Sequence, residues 1–213
     1  MSLDTCYTEV ENVKKVYDAI AEHFDVTRYS VWIDVKKFID SLSKNSYILD
    51  AGCGNGKNMY RKDCEFIGGD FCSKFLEITQ IKKKEVIQFN TKTIPFRDNT
   101  FDSTISVAVL HHICSKTQRI NSIKELVRVT KPKGKIFISV WGVHKNYNQG
   151  DNYIKWELQS KYNDSTEKKI YHRYYYLYDC DELLKDVSKN ISTVRVLTHY
   201  SNFNNRFIVL VKN

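Results

Sequence analysis

Residues 47–57 read YILDAGCGNGK. An apolar run stops at Asp50, and Gly52, Gly54 and Gly56 follow in a five-residue span. A strand that ends in such a turn lets a ligand come close to the backbone and points amide groups at it. The spacing is not the GxGxxG of dinucleotide-binding folds. Nor is it a phosphate loop, because no GK[ST] follows. A turn this short suits a ligand without a pyrophosphate.

The sequence around this turn alternates between two periodicities. Val13, Val16, Tyr17, Ile20, Ala21 and Phe24 fall on one helical stripe over residues 11–24. Val31, Val35, Phe38, Ile39 and Leu42 do the same over residues 31–42, so residues 1–44 read as an N-terminal helical segment. Strand-like runs then follow: YILD, EFIGGD, VIQF, STISVAV and KIFISVW. Helical segments separate them, short near Asn58 and Ser73 and clearer from Lys116 to Thr130, where Pro132 and Gly134 close the helix. Alternation of this kind predicts an α/β fold with a mostly parallel sheet covered on both faces. The tail differs. STVRVLTHY and RFIVLVK, separated by SNFNN, read as an antiparallel hairpin.

The chain has 213 residues and only two prolines, with no linker and no repeat, so residues 1–213 are expected to form one domain. Residues 142–171 break the rhythm with a polar, aromatic and basic run that follows a strand end. Open α/β sheets hold their ligands at such ends. This run reads as a lid over the site or as an ordinary solvated insertion. No apolar stretch approaches the roughly 18 residues of a membrane helix, and no signal peptide is visible. The six cysteines, Cys6, Cys53, Cys64, Cys72, Cys114 and Cys180, show no CxxC or Cys/His zinc spacing. Free thiols in a reducing cytoplasm or nucleus are expected, no metal is expected, and the N-x-S/T matches at Asn163 and Asn190 carry no meaning there. The net charge of +8 favours a polyanionic partner such as nucleic acid. A coding bias toward Lys, Asn, Ile and Tyr is the plain alternative.

Three further elements follow the glycine turn in order. Asp70 ends EFIGGD, where a carboxylate can accept the hydroxyls of a ribose. Asn90 ends the third strand, where a side-chain amide can meet an adenine edge. NTFDSTISVAVLHH brings the fourth strand into a loop beside the site. This ordered set resembles the class I S-adenosylmethionine-dependent methyltransferases. The resemblance implies a Rossmann-like, seven-stranded, mostly parallel sheet whose last hairpin is reversed, with S-adenosylmethionine as cofactor. It implies that Asp50, Gly52, Gly54 and Gly56 contact the methionine part and that Asp70 holds the ribose. Asn90 and Thr91 would lie near the adenine, and Ala108 joins the cofactor-binding set.

A narrower resemblance rests on YDAIAEHFDVTRYSVW, on ISVAVLHHICSKTQRINSIKELVRVTKPKGKIFISVW and on HRYYYLYDCDELL. These segments are similar to the eukaryotic tRNA wobble-uridine carboxymethyl methyltransferases. Tyr176 stands where that family usually has His, and NFNNRF stands where it usually has DNWW. The reaction implied is methyl esterification of 5-carboxymethyluridine at wobble position 34. The implied partners are a tRNA anticodon loop and a small zinc-binding methyltransferase activator subunit. The activator is expected to pair along the sheet edge near CEFIGGD and EVIQFN, leaving the lone chain poorly soluble or weakly active.

A carboxylate is ionised at neutral pH, so such a reaction needs a cationic donor rather than a general base. Arg28 is the first candidate donor and Arg173 the second. The alternative for Arg28 is a surface Arg that caps or salt-bridges between two helices, and the alternative for Arg173 is a structural role. His112 is expected beside the reacting group as a hydrogen-bond donor, with His111 next to it, and Trp141 completes the catalytic set. Tyr29, Trp32, Trp141 and Tyr174 are candidates for stacking on a flipped base, with core packing as the alternative. Lys82, Lys83 and Lys84, and Lys168 with Lys169, are phosphate contacts or solvated faces. Two rival functions stand beside this one: a methyltransferase of the same fold acting on a small quinone or lipid precursor, and a non-catalytic RNA- or partner-binding module.

Overall fold

The structure, a computed structural model, describes residues 7–162 and 169–213. Cys6, Asn163 and Lys168 lie outside the described residues. A π-helical turn, Val10–Lys14, runs directly into helix α1, Lys15–Thr27. Helix α2, Ile33–Asp40, follows. The sheet then begins with β1 (Tyr47–Ala51), β2 (Glu65–Asp70), α3 (Ser73–Ile81) and β3 (Val86–Gln88). It continues with β4 (Phe101–Val107), α4 (Lys116–Val129) and β5 (Thr130–Trp141). After β6 (Gly150–Glu157) and β7 (Ile170–Leu177) come α5 (Glu182–Asn190), β8 (Val194–Asn202) and β9 (Asn205–Lys212).

Seven strands form one sheet in the order β3-β2-β1-β4-β5-β9-β8. Strands β1 to β5 pair in parallel, and β9 pairs antiparallel with both β5 and β8. Both faces are covered. Ile123, Leu126 and Val127 of α4 and Leu183 and Val187 of α5 pack with Ile136, Ile138, Ile208 and Leu210 on one face. Val35, Phe38 and Ile39 of α2 pack with Ile48, Ile105, Phe137 and Phe207 on the other. Fully burying one such aliphatic or aromatic side chain contributes about 1.5–3 kcal/mol, so these two layers hold the sheet rigid beneath the loops at its strand ends. Among the described residues no helix is long and apolar enough to cross a membrane.

Four local expectations change. The segment after Gly52 makes turns and no helix near Asn58, because Gly52, Gly54 and Gly56 all take positive φ, which interrupts an α-helix. Helix α4 ends at Val129, before Pro132. Thr130 Oγ1 turns back to donate to the Leu126 carbonyl at 2.7 Å, and Thr130 already pairs with Phe101. EFIGGD is an interior strand, flanked by β1 and β3, so VIQ alone forms that edge of the sheet. The described residues of the irregular run after Trp141 contribute to a second, two-stranded antiparallel sheet, β6 with β7. It alternates as strands do: Ile154 and Trp156 are buried and Tyr153, Lys155 and Glu157 are exposed. Trp156, Leu158 and Tyr174 pack on Val13, Val16, Tyr17 and Ile20. The second sheet and the N-terminal helix therefore meet over the carboxyl ends of the parallel strands.

Candidate active site

Strand order reverses between β1 and β4, and open α/β sheets leave a crevice at such a point. A cavity occupies it, lined by the loops after the first five strands. Gly52, Cys53, Gly54, Asn55, Lys57 and Asn58 come from the first, Asp70, Phe71 and Cys72 from the second, and Phe89, Asn90 and Thr91 from the third. Ala108, Val109, His111, His112 and Ile113 follow β4, and Trp141 ends β5. Glu9, Val13, Tyr17, Phe24, Arg28 and Trp32 from the N-terminal segment and Arg173 and Tyr175 of β7 close it.

The glycine turn has two functions. Gly54 has φ +52°, and an added Cβ there meets nothing within 4 Å, so the protein leaves room beside this backbone at the cavity wall. Gly56 has φ +72°, but its added Cβ would lie 2.6 Å from Thr79 Cγ2, and Gly56 does not line the cavity. Packing on α3 and the positive φ already require a glycine there. Asp50 is likewise fully buried and absent from the lining. Its Oδ2 accepts from Asn58 Nδ2 at 3.3 Å while Oδ1 has no partner, and burial raises its pKa to about 7.

Asp70 lines the cavity with both oxygens anchored. Oδ2 accepts from the Gly54 amide at 2.8 Å and Oδ1 from the Cys72 amide at 2.9 Å. Burial raises its pKa and these amides oppose the rise. Each oxygen keeps a second lone pair for an incoming hydroxyl. Asn90 Oδ1 accepts from the Lys92 amide at 3.1 Å, which fixes the orientation of the side chain and leaves Nδ2 as its available donor. Thr91 Oγ1 lies 3.4 Å from Ser122 Oγ. Ala108, at the end of β4, takes φ +61°, a strained conformation for a non-glycine residue. Its amide donates to the Ser139 carbonyl at 3.0 Å.

The two histidines have different tautomers. His112 Nδ1 faces the Tyr174 carbonyl at 2.8 Å and therefore carries the proton. Burial lowers its pKa to about 3, so the ring is neutral and Nε2 is an acceptor, filled by Tyr17 Oη at 3.0 Å. His112 is thus not a donor into the cavity, contrary to expectation, because its one N–H is already bonded. His111 is the reverse. The Trp141 amide donates to Nδ1 at 2.9 Å, so the proton sits on Nε2, which bonds to nothing among the described residues. Burial, then the neighbouring His112 and Arg173, hold its pKa well below the usual imidazole range.

Arg173 is 6% exposed. Its Nη1 donates to Tyr175 Oη at 2.9 Å and lies 3.5 Å from Tyr17 Oη. Its Nε is buried without a partner, and no carboxylate among the described residues pairs with it. Trp156 lies under the guanidinium, 4.7 Å from ring centroid to Cζ. Arg28 is exposed at the cavity edge, over Trp156 at 5.4 Å, and donates to the Thr27 carbonyl. It is held near the glycine turn because Asn55 Nδ2 donates to both Asp25 Oδ1 and the Arg28 carbonyl. Trp32 lines the cavity under Lys57 Nζ at 5.4 Å. Trp141 tilts against Tyr175 with ring centroids 4.8 Å apart.

The structure does not bring every expected residue to the cavity. Tyr29 is 75% exposed and outside the lining. Tyr174 points the other way, its Oη donating to Asp151 at 2.6 Å. A strand presents alternate residues to one face, so Arg173 brings Tyr175 with it and excludes Tyr174. That periodicity was available in HRYYYLY. Tyr176 lies outside the lining, under the Arg119 guanidinium at 3.6 Å, and donates to Glu182. Lys82 pairs with Asp25 and Lys84 donates to the Met59 carbonyl, so both tie the fold together locally. Tyr17 and Lys57 also line the cavity, though no motif marks them as site residues. Tyr17 sits on an apolar helical stripe with its hydroxyl directed into a polar network, which no local pattern reveals.

The sheet order, the turn with room beside Gly54 and the anchored acid at the end of β2 define a class I S-adenosylmethionine-dependent methyltransferase. A methyltransferase-domain family model matches residues 49–138. The tRNA (carboxymethyluridine(34)-5-O)-methyltransferase of Schizosaccharomyces pombe is 33% identical over 228 residues, covering 96% of this chain and 98% of that one. The Arabidopsis thaliana protein of the same name is 44% identical over 138 residues, 64% of this chain and 34% of its own length. The chain therefore spans about a third of that relative. Among solved structures, a Haloferax volcanii methyltransferase in complex with the Trm112 methyltransferase activator superposes with a TM-score of 0.68 at 13% identity, covering 94% of this chain and 97% of that one. The chain belongs to the tRNA (carboxymethyluridine(34)-5-O)-methyltransferase family.

Two outcomes test this geometry. Gly56→Ala costs about 2 kcal/mol or more of stability, from positive φ plus the clash with Thr79. Gly54→Ala costs about 1 kcal/mol but weakens S-adenosylmethionine binding at least roughly tenfold, because its methyl group fills ligand space. Denaturant titration and calorimetric binding separate the two effects. Imidazole NMR resonances of His111 and His112 are expected to stay constant between about pH 5 and 8. Both rings are held neutral, so protonation sets in only at lower pH.

Proposed function

We propose that this chain methylates the carboxylate of 5-carboxymethyluridine at the wobble position of tRNA, giving the methyl ester. The observation that carries the reading is Arg173, a buried guanidinium without a carboxylate partner in the cavity that holds the glycine turn and Asp70. A buried cation is costly unless paired, and a substrate carboxylate supplies the missing anion. With Nη1 engaged by tyrosine oxygens, Nη2 is left to grip one carboxylate oxygen while the other stays free to attack.

S-adenosylmethionine, when bound, supplies a methyl group on a sulfonium. Gly52 and Gly54 line the methionine region, Asp70 accepts from the ribose, and Asn90 and Thr91 border the adenine. Neither histidine is set to act as a general base: the lone pair of His112 is filled, and His111 directs an N–H, not a lone pair, beyond its own contacts. An ionised carboxylate needs no base, whereas a ring nitrogen donor or a ribose hydroxyl losing its proton would. His111 Nε2–H is then a neutral donor that orients the acid beside Arg173. The sheet formed by β6 and β7 serves as a lid that excludes water and presents Arg173. Trp32 and Trp141 are stacking surfaces for the flipped base, and Arg28 and Lys57 meet anionic groups near the glycine turn. The net charge of +8 supports attraction to the anticodon loop.

An activator subunit of the Trm112 type, small and zinc-binding, is the proposed protein partner. Strand β3 is a three-residue edge with Ile87 half exposed, and Ile81 beside it is 81% exposed. Such an edge needs covering. The five described cysteines are free thiols, which supports a reducing compartment, cytoplasm or nucleus.

Methyl-labelled S-adenosylmethionine and tRNA carrying carboxymethyluridine test the reaction. The expected result is label on the tRNA that mild alkali releases as methanol. Label that survives alkali marks a base or ribose acceptor and overturns the reading. Arg173→Gln should lower kcat/KM roughly a hundredfold while leaving cofactor affinity within about twofold, because only the acid loses its partner.

A further inference from the structure

The hydrogen bonds around Arg173 run in one direction. His112 Nδ1–H is committed to the Tyr174 carbonyl, so His112 Nε2 accepts from Tyr17 Oη at 3.0 Å. The Tyr17 proton is thereby spent, so Tyr17 Oη accepts from Tyr175 Oη, also at 3.0 Å. The Tyr175 proton is spent in turn, so Tyr175 Oη accepts from Arg173 Nη1 at 2.9 Å. Every phenol oxygen in this chain turns a lone pair toward the guanidinium side and its proton toward the histidine.

We propose that Tyr17 and Tyr175 are positioning residues that hold Arg173 without neutralising it, and that this makes the cavity select an ionised acid over its neutral amide. The inference rests on the reaction proposed above. A carboxylate in place of either phenol would fix the guanidinium equally well, but it would also cancel its charge and compete with the substrate. A phenol accepts the same hydrogen bond and leaves the charge standing. Burial raises the pKa of both tyrosines, which keeps the phenols neutral at working pH.

The same arrangement bears on turnover. When a carboxylate oxygen attacks the methyl carbon, the new O–C bond forms, the S–C bond breaks and its electron pair returns to sulfur. The negative charge of the acid and the positive charge of the sulfonium vanish together. Arg173 then faces a neutral ester and has lost its charge-assisted hydrogen bond, so the cavity that favours the acid holds the product weakly.

The test uses the full chain with S-adenosylmethionine, tRNA carrying carboxymethyluridine as substrate and tRNA carrying the neutral carbamoylmethyluridine as competitive inhibitor. In Tyr175→Phe, the KM for the acid is expected to rise about tenfold, while the inhibition constant of the amide stays within about twofold. Tyr17→Phe should shift the same ratio in the same direction, and it carries the test if Tyr175→Phe does not fold. Equal weakening of acid and amide shows a merely structural role and overturns the proposal, as does no change in either. A wild-type chain that binds cofactor and both tRNAs but transfers no methyl group overturns the reaction instead. The acid-over-amide ratio is then read from direct binding, and its loss in the Phe variants still decides whether the tyrosines set it.

Discussion

The reversal of strand order between β1 and β4 is the constraint on which the site depends. Crossovers from β1 run one way to β2, and those from β4 run the other way to β5. The loops that leave these two strands therefore diverge and open a crevice between them. The strands beneath are fixed by burial on both faces. Short loops on rigid strands place Gly54, Asp70, Asn90 and Ala108 with little freedom, and Asp70 ties the first loop to the second through the Gly54 and Cys72 amides. The cofactor side of the cavity is thus a property of the sheet. The opposite wall comes from α1 and from β7, elements outside the seven-stranded sheet, and it is held by side-chain contacts such as Tyr17 with His112 and Tyr175.

This division explains what the sequence revealed. The ends of β1 and β2 were legible because each signal is local, a run that stops beside Asp50 or at Asp70, whereas β3 ends at Gln88, two residues before the expected Asn90. The reversed hairpin was legible because two strand-like runs flank a short polar turn. The second sheet was harder to see. β7 carries four tyrosines and β6 one Tyr and one Trp, and such rings bury a large apolar body while keeping a polar tip, so buried and exposed aromatic positions look alike by composition. Only the alternation of Ile154 and Trp156 with Tyr153, Lys155 and Glu157 marks the faces. Motif membership alone points Asp50 and Gly56 at the ligand; in the fold Gly56 meets Thr79, and Asp50 is buried outside the cavity lining with Oδ1 unpartnered. The histidine tautomers were beyond any local reading, because they are set by Trp141 and Tyr174, 30 and 62 residues away in the chain.

Two sets of cations approach the cavity, and their surroundings give them different capabilities. Arg28 is exposed, so its field is screened by water and salt within about 10 Å. Lys57 is more sheltered. Burial and then the neighbouring Arg28 lower its pKa, so these two cations interact unfavourably unless an anion comes between them. Both lie by the glycine turn, Arg28 through Asn55 and Lys57 within the turn itself. Arg173 is buried among aromatic rings on the far wall, where the effective dielectric is low and a charge acts more strongly on its immediate neighbour.

In the proposed reaction, that difference favours Arg173 over Arg28 as the group that meets the acid. A reader on a solvated edge gains little from charge, because water competes for both partners and an exposed ion pair contributes only about 0–1 kcal/mol. A buried reader gains more, but its empty state has to be stabilised without an anion. The aromatic wall meets this requirement with hydrogen-bond acceptors and a ring face, from Tyr175, Tyr17 and Trp156, none of which carries a charge. The histidines complete the arrangement by remaining neutral: a protonated His112 would need its Nε2 as a donor, reverse the Tyr17 hydroxyl and turn the phenol protons toward the guanidinium. The low imidazole pKa, the tyrosine chain and the unpaired arginine are therefore parts of one electrostatic arrangement, in which protons are directed away from the guanidinium where the proposed acid would remain ionised.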